Sequence, residues 1–572
     1  MRELSRRISG VWFGIVVLSL ACAGPAPITR DRAGAGAAPA GTSSPKRLIA
    51  AVMGEPASLS SRISIGVANV PGVDVLEELV NAGLVTSDNR GTGIPRLAET
   101  IPSVENGLWT VHSDGRMETT WRIREGAVWH DSAPVTSGDL FFTMEVARDT
   151  ELPNFNDPAF NAIDRLEVRD PRTLTIHWRQ PYIDADQMFS PRYAMPLPQH
   201  LLERGYREDK AGFTQLAYWS REFVGTGAYR LQEWAAGSHV SLRANERYPL
   251  GRPKIDEIQV RFIPDQNTLI ANVLAGTVQL TIGRNVSLDQ ALQMRNQWLD
   301  GRVEVGTRGW SILFPQFLTP DPPLVSNLQF RRALVHAIDR QQLVDTLMGG
   351  LVPVADSFVN SNAPNYWDIE PSIVRYPFDP ARATRMMEEL GYSRGMDGLL
   401  RDSSGQGLAV ELRTVSVDLH VKTTLAVTDA WQRLGVSVEP VVIPPARQGD
   451  LEYRAGFPAF QIFGGQSDVG LLPRLHSSRT PRPETRYVGT NYSRYIDPEW
   501  DGLIDRLFAT VPQQERTRVL AEVVHFMTDR LNIIGLFFRD DTILVNNRVQ
   551  NATALYGEGS THAWNAHEWD LK

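Results

Sequence analysis

Few residues of this chain have the types and spacing that catalysis requires. His130 and Asp131 are adjacent and could act as a general base and acid, but neighbouring residues need a third group to orient them. The alternative is a polar turn between Trp129 and a helix that begins near Ser137. Gly225-Thr226-Gly227 precedes a predicted strand and not a helix N-terminus, so it indicates a turn and not a phosphate loop.

Other signatures of catalysis or cofactor binding do not occur in the sequence. It contains no H-E-x-x-H, no G-x-S-x-G and no phosphate-binding glycine loop. The 11 histidines are scattered and the chain has one cysteine, so neither a dedicated zinc site nor another cofactor is expected. The sequence therefore does not predict an enzyme.

The single cysteine, Cys22, lies at the end of a short apolar segment. Arginines precede this segment, which covers residues 10–21 and is long enough for a secretory signal but too short to span a bilayer. Ser19-Leu20-Ala21-Cys22 is similar to a bacterial lipoprotein cleavage site. This predicts a signal peptide over residues 1–22 and acylation of Cys22; the alternative is a free thiol in an ordinary Sec signal.

Residues 23–47 are rich in Gly, Ala, Pro and Ser and contain almost no large apolar side chain. Such a segment cannot bury enough surface to offset the entropy of ordering, so a flexible tether is expected. A diacylated cysteine on this tether would hold the folded part at a membrane surface. We therefore expect a lipid-anchored, extracytoplasmic protein in the periplasm or at the cell surface.

The rest of the chain has the composition of an ordinary globular protein. Hydrophobic residues make up 42% and charged residues 22% of the sequence, and 66 Asp and Glu outnumber 58 Lys and Arg. The net charge of −8 and the lack of a basic run argue against a nucleic-acid partner. Helical patterns and short strands alternate without a repeat period, which predicts a mixed α/β fold.

Several stretches have clear local signals. Residues 136–139 (Thr-Ser-Gly-Asp) form a capping box that opens an amphipathic helix. Asp379-Pro380 predicts the start of another helix, which Gly391 ends. Residues 228–243 alternate on both sides of Ala-Ala-Gly-Ser and predict a β-hairpin, and residues 258–263 predict a further strand.

A series of motifs in fixed order carries the strongest signal. Residues 121–131 read Trp-Arg-Ile-Arg-Glu-Gly-Ala-Val-Trp-His-Asp, and Pro-Val-Thr-Ser-Gly-Asp-Leu follows at 134–140. Further motifs lie at 55–59, 95–99, 224–229, 244–248, 330–340, 378–383 and 495–501. Together they resemble the family 5 extracellular solute-binding proteins of ABC importers, the dipeptide- and oligopeptide-binding lipoproteins and their relatives. Ser132 is a departure, because the family usually has glycine there.

The resemblance implies a type II periplasmic-binding fold, in which two α/β lobes are joined by hinge strands and the first lobe carries an extra subdomain. The implied ranges are 48–283 for the first lobe, about 89–221 for its subdomain, 284–535 for the second lobe and 536–572 for a C-terminal return to the first lobe. It also implies a monomer that delivers a solute to an ABC permease. Gln279 stands where many relatives have Asp.

Ligand residues are expected from both lobes, because a solute that closes the lobes must contact both. In peptide-binding relatives a second-lobe carboxylate binds the ligand ammonium, and the matching segment here is Gly464 to Asp468. The implied ligand residues are Gly465, Gln466, Ser467 and Asp468 of that segment, Gly66 and Val67 of a first-lobe loop, Phe538 near the hinge, and Trp310. Asp468 either holds a ligand cation or caps the segment that follows it.

Several functions stay open. The leading hypothesis is a membrane-tethered, non-catalytic receptor that captures a peptide or peptide-like solute for an ABC permease. Gly465 and Val469 replace residues of the family's pattern, which leaves open an oligosaccharide, opine or other non-peptide solute. A hydrolase on the same fold and a lipoprotein used for sensing or assembly are more distant alternatives.

Overall fold

A computed structural model describes residues 44–64, 70–283, 286–295 and 297–572. Cys22, the predicted signal peptide, most of the predicted tether, Gly66 and Val67 lie outside the described residues. None of the described helices is long and apolar enough to span a membrane.

Strands and helices are interspersed along the chain. In chain order the strands are β1 Arg47–Val52, β2 Val85–Ser87, β3 Gly93–Pro95, β4 Trp109–Val111, β5 Met117–Arg122, β6 Ile163–Asp170, β7 Thr173–Trp178, β8 Tyr229–Ala235, β9 His239–Ala244, β10 Glu257–Phe262, β11 Leu280–Thr281, β12 Gly301–Pro315, β13 Ser393–Arg394, β14 Leu400–Arg401, β15 Ala409–Val415, β16 Ser437–Ile443, β17 Phe460–Gly465, β18 Ile534–Asn546, β19 Val549–Gln550 and β20 Asp570–Leu571.

The helices are concentrated in the second half of the chain. In chain order they are α1 Val73–Val80, α2 Ser137–Arg148, α3 Gln199–Glu208, α4 Gln266–Leu274, α5 Leu288–Arg295, α6 Leu328–His336, α7 Arg340–Leu347, α8 Tyr366–Ile369, α9 Pro380–Glu389, α10 Asp418–Leu434, α11 Leu451–Ala455, α12 Leu472–Leu475, α13 Pro498–Ala509 and α14 Gln513–Arg530.

A ten-stranded mixed sheet runs through the molecule in the order β16-β15-β17-β12-β18-β11-β1-β10-β9-β8. At one end β1 is parallel to β10 and β11, and β10, β9 and β8 are antiparallel neighbours. At the other end β15 is parallel to β16 and β17. The long antiparallel strands β12 and β18 connect the two halves of the sheet.

The two halves of the sheet belong to separate hydrophobic cores, which define two lobes. On β18, Val545 packs in the first-lobe core and Phe538 packs in the second-lobe core. The pairing of β12 with β18 shifts register between Thr307 and Trp310, near the same level. The two strands are therefore the hinge of a two-lobe type II fold, as the resemblance implies.

Helix α5 contacts the cores on both sides of the hinge. Its residues Ala291 and Met294 cluster with Ala51 of β1 and Leu544 of β18, whereas Leu288 belongs to the second-lobe core. The implied crossing near Gly283 stays a prediction.

The first lobe carries a subdomain built on the four-stranded sheet β4-β5-β7-β6, with α2 between β5 and β6 and α3 after β7. The predicted capping box opens α2. The backbone N–H of Thr136 donates to Asp139 Oδ2 at 2.7 Å, and the N–H of Asp139 donates to Thr136 Oγ1 at 3.4 Å. This prediction is confirmed.

The other local predictions are also confirmed. Asp379 caps α9 by accepting the N–H of Arg382 at 2.8 Å, and Gly391 follows the helix with φ 86°. Strands β8 and β9 form the hairpin, whose turn has Gly237 at φ 71°. Strand β10 is the further strand predicted at residues 258–263, and it pairs with β1 and β9.

Candidate functional site

A cavity of about 300 Å³ lies where the hinge strands meet β17. Its walls come from β12, β17 and β18, from α12 and the loop after it, and from the C-terminal segment that packs on the first lobe. The polar lining residues are Arg308, Gln466, Arg474, Thr490, Tyr492, Arg539 and Glu558. This volume is at the small end of ligand pockets, so it suits a small solute.

The backbones of β12 and β17 approach closely beside the cavity. Trp310 pairs with Gly465 in the antiparallel ladder. Gly309, just before that pair, has φ 77°, and a Cβ there would lie 2.6 Å from the carbonyl oxygen of Gly465. Because only glycine adopts this conformation without strain and leaves this space, the bulge of β12 requires glycine at 309.

Two glycines at the end of β17 leave room for side chains from neighbouring elements. A Cβ on Gly464 would lie 2.6 Å from Nη1 of Arg539 and 3.1 Å from Nε2 of His420. A Cβ on Gly465 would lie 2.6 Å from Cδ1 of Ile312. A side chain at 465 would therefore require the terminal methyl of Ile312 to move.

Asp468 joins the second lobe to the subdomain of the first. Its Oδ2 accepts a hydrogen bond from Nη1 of Arg192 at 2.8 Å, and its Oδ1 accepts the N–H of Gly470 at 3.0 Å. Burial would lower the pKa of Arg192, but the carboxylates of Asp468 and Asp184 outweigh it and raise that pKa. The cap expected as one alternative is therefore present, and the carboxylate also has a cation partner within the protein.

A second polar bridge between the lobes centres on Glu558. Its Oε2 lies 3.4 Å from Nε of Arg308, and its Oε1 accepts the N–H of Ser467 at 3.5 Å. Arg308 also lies 3.7 Å from Asp74 of α1, and Ser467 Oγ accepts the N–H of Gly309 at 3.1 Å. Burial raises the pKa of Glu558, although Arg308 opposes this rise.

Aromatic side chains form another wall of the cavity. The ring of Tyr492 meets that of Phe314 edge to face at 6.0 Å and that of Phe463 at 5.9 Å. Aromatic clusters of this kind present apolar surface while the tyrosine keeps a polar tip. The cavity thus combines an apolar wall with charged groups.

The structure brings together four of the sequence-implied ligand residues. Gly465 and Gln466 line the cavity, and Ser467 and Asp468 bind groups of the hinge and the subdomain beside it. Trp310 and Phe538 are only 0% and 3% exposed and belong to the second-lobe core. Their ligand role stays a prediction, as does that of Gly66 and Val67, which lie outside the described residues.

His130 and Asp131 are not paired with each other as an acid and a base. The Nδ1 of His130 accepts the N–H of Gly225 at 3.2 Å, and its Nε2 lies 3.1 Å from the carbonyl oxygen of Gly227. Burial lowers the pKa of His130 to about 4. Asp131 instead contacts Nε2 of His200 at 2.7 Å. The pair forms the polar turn, and it fixes Gly225-Thr226-Gly227 before β8.

Sequence reasoning missed the charged lining residues Arg308, Arg474, Arg539 and Glu558, and also Arg192. Glu558 has a local signal, because it lies between two glycines near the chain end. Arg474 follows Asp468 by six positions on the next short helix. No sequence signal joins these residues to one another, since the contacts between them span hundreds of positions.

Within the described ranges, no group of three or more His, Cys, Asp and Glu is arranged to hold a metal ion.

Comparison with known proteins agrees with this geometry. The model of the bacterial extracellular solute-binding proteins, family 5, middle region, matches residues 93–478, which is more than half of the chain. The chain therefore belongs to the family 5 extracellular solute-binding proteins.

Relatives of known description are distant. A Brucella ovis protein, described provisionally as an ABC transporter peptide-binding protein, is 26% identical over 64% of this chain and 63% of its own. The chain thus spans less than two thirds of that relative's length. Heme-binding protein A of Haemophilus influenzae is 24% identical over 73% of this chain and 76% of its own.

Solved structures share the fold. HbpA2 from Haemophilus parasuis superposes with a TM-score of 0.74 at 18% identity, covering 92% of this chain and 100% of the other. At this identity the likeness concerns the fold alone.

Proposed function

We propose that this chain is the extracytoplasmic receptor of an ABC importer, which binds a peptide or peptide-like solute between its lobes and delivers it to a permease. The observation that carries the proposal is the cavity at the hinge, which has walls from both lobes. A solute held there contacts both lobes at once and so stabilises the closed arrangement. The description of the Brucella relative supports the importer and the peptide.

The proposed activity is binding without chemical turnover. His130, the one histidine that sequence reasoning considered for catalysis, is occupied by the backbone of residues 225–227 and lies outside the cavity lining. Native mass spectrometry of the purified protein should reveal a co-purified solute or a binder from a panel of dipeptides and tripeptides. Calorimetry should then give one site per chain, and the solute should be recovered unchanged. Product in excess of the protein would contradict the proposal.

A non-peptide solute is the second candidate, and the contacts of Asp468 favour it. In peptide-binding relatives this position binds the ligand ammonium, whereas here Arg192 already neutralises the carboxylate. The Haemophilus influenzae relative is named for binding heme, which is a non-peptide ligand. If this candidate is correct, the co-purified solute lacks an amino terminus, and peptides fail to displace it in competition calorimetry.

We also propose that Cys22 is acylated and anchors the protein, as a monomer, to a membrane outside the cytoplasm. The motivation is the place of this single cysteine between an apolar segment and a tether. A clickable fatty-acid analogue supplied to expressing cells should label the wild type and not Cys22→Ser. Equal labelling of both proteins would contradict the proposal.

A further inference from the structure

The subdomain of the first lobe meets the second lobe at a turn that follows β7. The turn includes the short 3-10 helix Ala185–Gln187. Nη1 of Arg516, on α14, donates to the carbonyl oxygen of Ile183 at 3.4 Å and to that of Val511 at 3.4 Å. Val511 is 4% exposed and packs in the first-lobe core, whereas the body of α14 packs in the second-lobe core. Opening of the lobes would therefore separate Arg516 from this turn.

Two carboxylates, Asp184 and Asp186, lie on this turn. Oδ2 of Asp184 accepts the hydroxyl of Tyr193 at 2.6 Å. The guanidinium of Arg192, which Asp468 binds at 2.8 Å, also attracts Asp184. Both interactions favour a negative charge on Asp184.

The surroundings of Asp186 favour the protonated form instead. Its side chain is partly buried. Burial and the neighbouring charge of Asp184 raise the pKa of Asp186 to about 6, and the charge of Arg516 and a hydrogen bond with Gln187 offset this rise only in part. Two carboxylates at a poorly solvated contact repel each other, so the one with fewer stabilising partners holds a proton. At this contact it is Asp186.

Three other titratable groups around this contact keep one charge state between about pH 5 and pH 8. Burial raises the pKa of Tyr182 and of Tyr193, so both hydroxyls stay protonated. Glu105 is exposed and also faces Arg516; hydrogen bonds within its own loop, and then the charge of Arg516, lower its pKa. Asp186 instead changes its protonation within that range.

We infer that closing of the lobes binds a proton at Asp186, so that acid stabilises the closed receptor and neutral pH loosens it. The inference rests on the proposed function and adds a control of that function by pH. Opening would admit water to the turn and would remove Arg516. The first change weakens proton binding and the second strengthens it. The first outweighs the second, because burial is the largest influence on this carboxyl.

The two forms differ in the pH at which they release this proton. The closed form holds it up to about pH 6, whereas the open form releases it near the ordinary Asp pKa of 3.8. The extra stability of the closed form is therefore complete below pH 3.8 and is lost as pH rises through about 6.

Fluorescence energy transfer between the lobes measures the closed fraction without a solute. Dyes are attached at Val168→Cys on β6 of the subdomain and at Met396→Cys between β13 and β14 of the second lobe, two exposed positions. Cys22→Ser in the same full-length chain leaves these as the only thiols. Single-molecule measurements should give a ratio of closed to open molecules about 10-fold higher at pH 5 than at pH 7.5.

Variants assign the effect to Asp186. Asp186→Asn keeps the shape and cannot titrate, so its ratio should change less than about twofold over this range and should match the wild type at pH 5. Arg516→Gln removes the charge that favours ionised Asp186, so the closed fraction should fall at a higher pH. A purely structural role of Arg516 would change the closed fraction and not the pH at which it falls.

The matched controls remove the same charges elsewhere. Asp300→Asn removes an exposed carboxylate before β12, and Arg385→Gln removes an exposed arginine from α9. Both should follow the wild type at every pH. Circular dichroism and thermal unfolding confirm that each variant is folded.

The outcomes separate this inference from the proposed function. A wild-type ratio that is flat with pH or rises with pH overturns the inference, and so does a wild-type pH dependence in Asp186→Asn. If a dipeptide or tripeptide of the panel closes the lobes and pH does not, the receptor function stands and the inference alone is wrong. If neither pH nor any peptide of the panel changes the energy transfer, both are rejected.

Discussion

At the residue scale, the ion pair of Arg192 with Asp468 bears on whether the Asp468 carboxylate can also bind a ligand. The two side chains are 26% and 18% exposed, so solvent screens their attraction only in part. Asp468 also caps the turn that begins at Val469. An interlobe ion pair and a ligand contact predict different behaviour when each partner is replaced.

We expect Asp468→Asn and Arg192→Gln to lower the free energy of unfolding by equal amounts. Asparagine keeps the cap, so the substitution removes only the charge. A double-mutant cycle in thermal or denaturant unfolding should give a coupling free energy of about 1–3 kcal/mol, between the values for exposed and buried pairs. The double variant should be no less stable to unfolding than either single variant.

A binding experiment on the same two residues tests the alternative, in which Asp468 contacts the ligand. If Asp468→Asn weakens a peptide with a free amino terminus about 30-fold more than its N-acetylated form, and Arg192→Gln does not, then Asp468 binds the ligand ammonium. The interlobe role would then be secondary. N-acetylation is the matched control, because it removes the ligand charge and leaves the protein unchanged.

At the element scale, the hinge strand β12 depends on its bulge. In Gly309→Ala the alanine would have to adopt φ 77°, and its Cβ would lie 2.6 Å from the carbonyl oxygen of Gly465. We expect a loss of about 2–4 kcal/mol in unfolding free energy from backbone strain and overpacking together. Gly276→Ala is the matched control, because it has φ 71° and nothing within 4 Å of its Cβ. It should lose only about 1–2 kcal/mol. Equal losses would mean that the contact with β17 is unimportant.

Helix α1 carries a buried acid that makes stability depend on pH. Glu78 accepts hydroxyl hydrogen bonds from Thr86 at 2.6 Å and Thr561 at 2.5 Å, and burial raises its pKa above 4.5. The folded protein therefore keeps the proton at pH values where the unfolded chain has lost it. This contribution to stability is complete below pH 4.5 and is lost as pH rises through the folded pKa.

We expect Glu78→Gln to gain stability relative to the wild type as pH rises above about 4.5, because glutamine stays neutral. Thermal unfolding from pH 4 to pH 8 measures the difference. Glu389→Gln, on the exposed surface of α9, is the control for removing a carboxylate. A difference that is flat with pH, or that falls, would contradict the burial of an ionisable Glu78.

At the scale of the whole molecule, the sequence predicts local elements and the fold better than it predicts the site. The capping box before α2, the start of α9 and the hairpin β8–β9 are encoded by residues a few positions apart, and the structure has them. The two-lobe fold follows from the ordered family motifs. Those signals say nothing of which side chains meet across the lobes.

The cavity was less predictable for a physical reason. Asp468 meets Arg192 across 276 positions, and Glu558 meets Arg308 across 250, so no local pattern joins them. The surroundings of Trp310 and Phe538 were not predictable either. Aromatic residues near a hinge suit a ligand wall as well as a core, and the packing of the second lobe places both in its core. The glycines at 464 and 465 are informative only once Arg539 and Ile312 are seen beside them.

The contacts between lobes should set how far the unliganded protein is closed. Arg192 binds Asp468, and Glu558 binds Arg308 and the N–H of Ser467, so each contact stabilises the arrangement in which the lobes meet. Partly exposed pairs contribute about 1 kcal/mol each, which corresponds to about a fivefold change in the ratio of closed to open molecules. For a solute that binds only the closed form, the apparent affinity is the intrinsic affinity multiplied by the fraction of molecules that are closed.

We therefore expect the double variant Arg192→Gln/Glu558→Gln to be more open without solute and to bind it up to about 25-fold more weakly. Small-angle scattering should give a larger radius of gyration for the unliganded variant and equal radii for both proteins when saturated with the solute found by native mass spectrometry. The control variant Arg385→Gln should match the wild type in both states. Equal radii of the unliganded proteins, with unchanged affinity, would mean that the two contacts do not hold the lobes together.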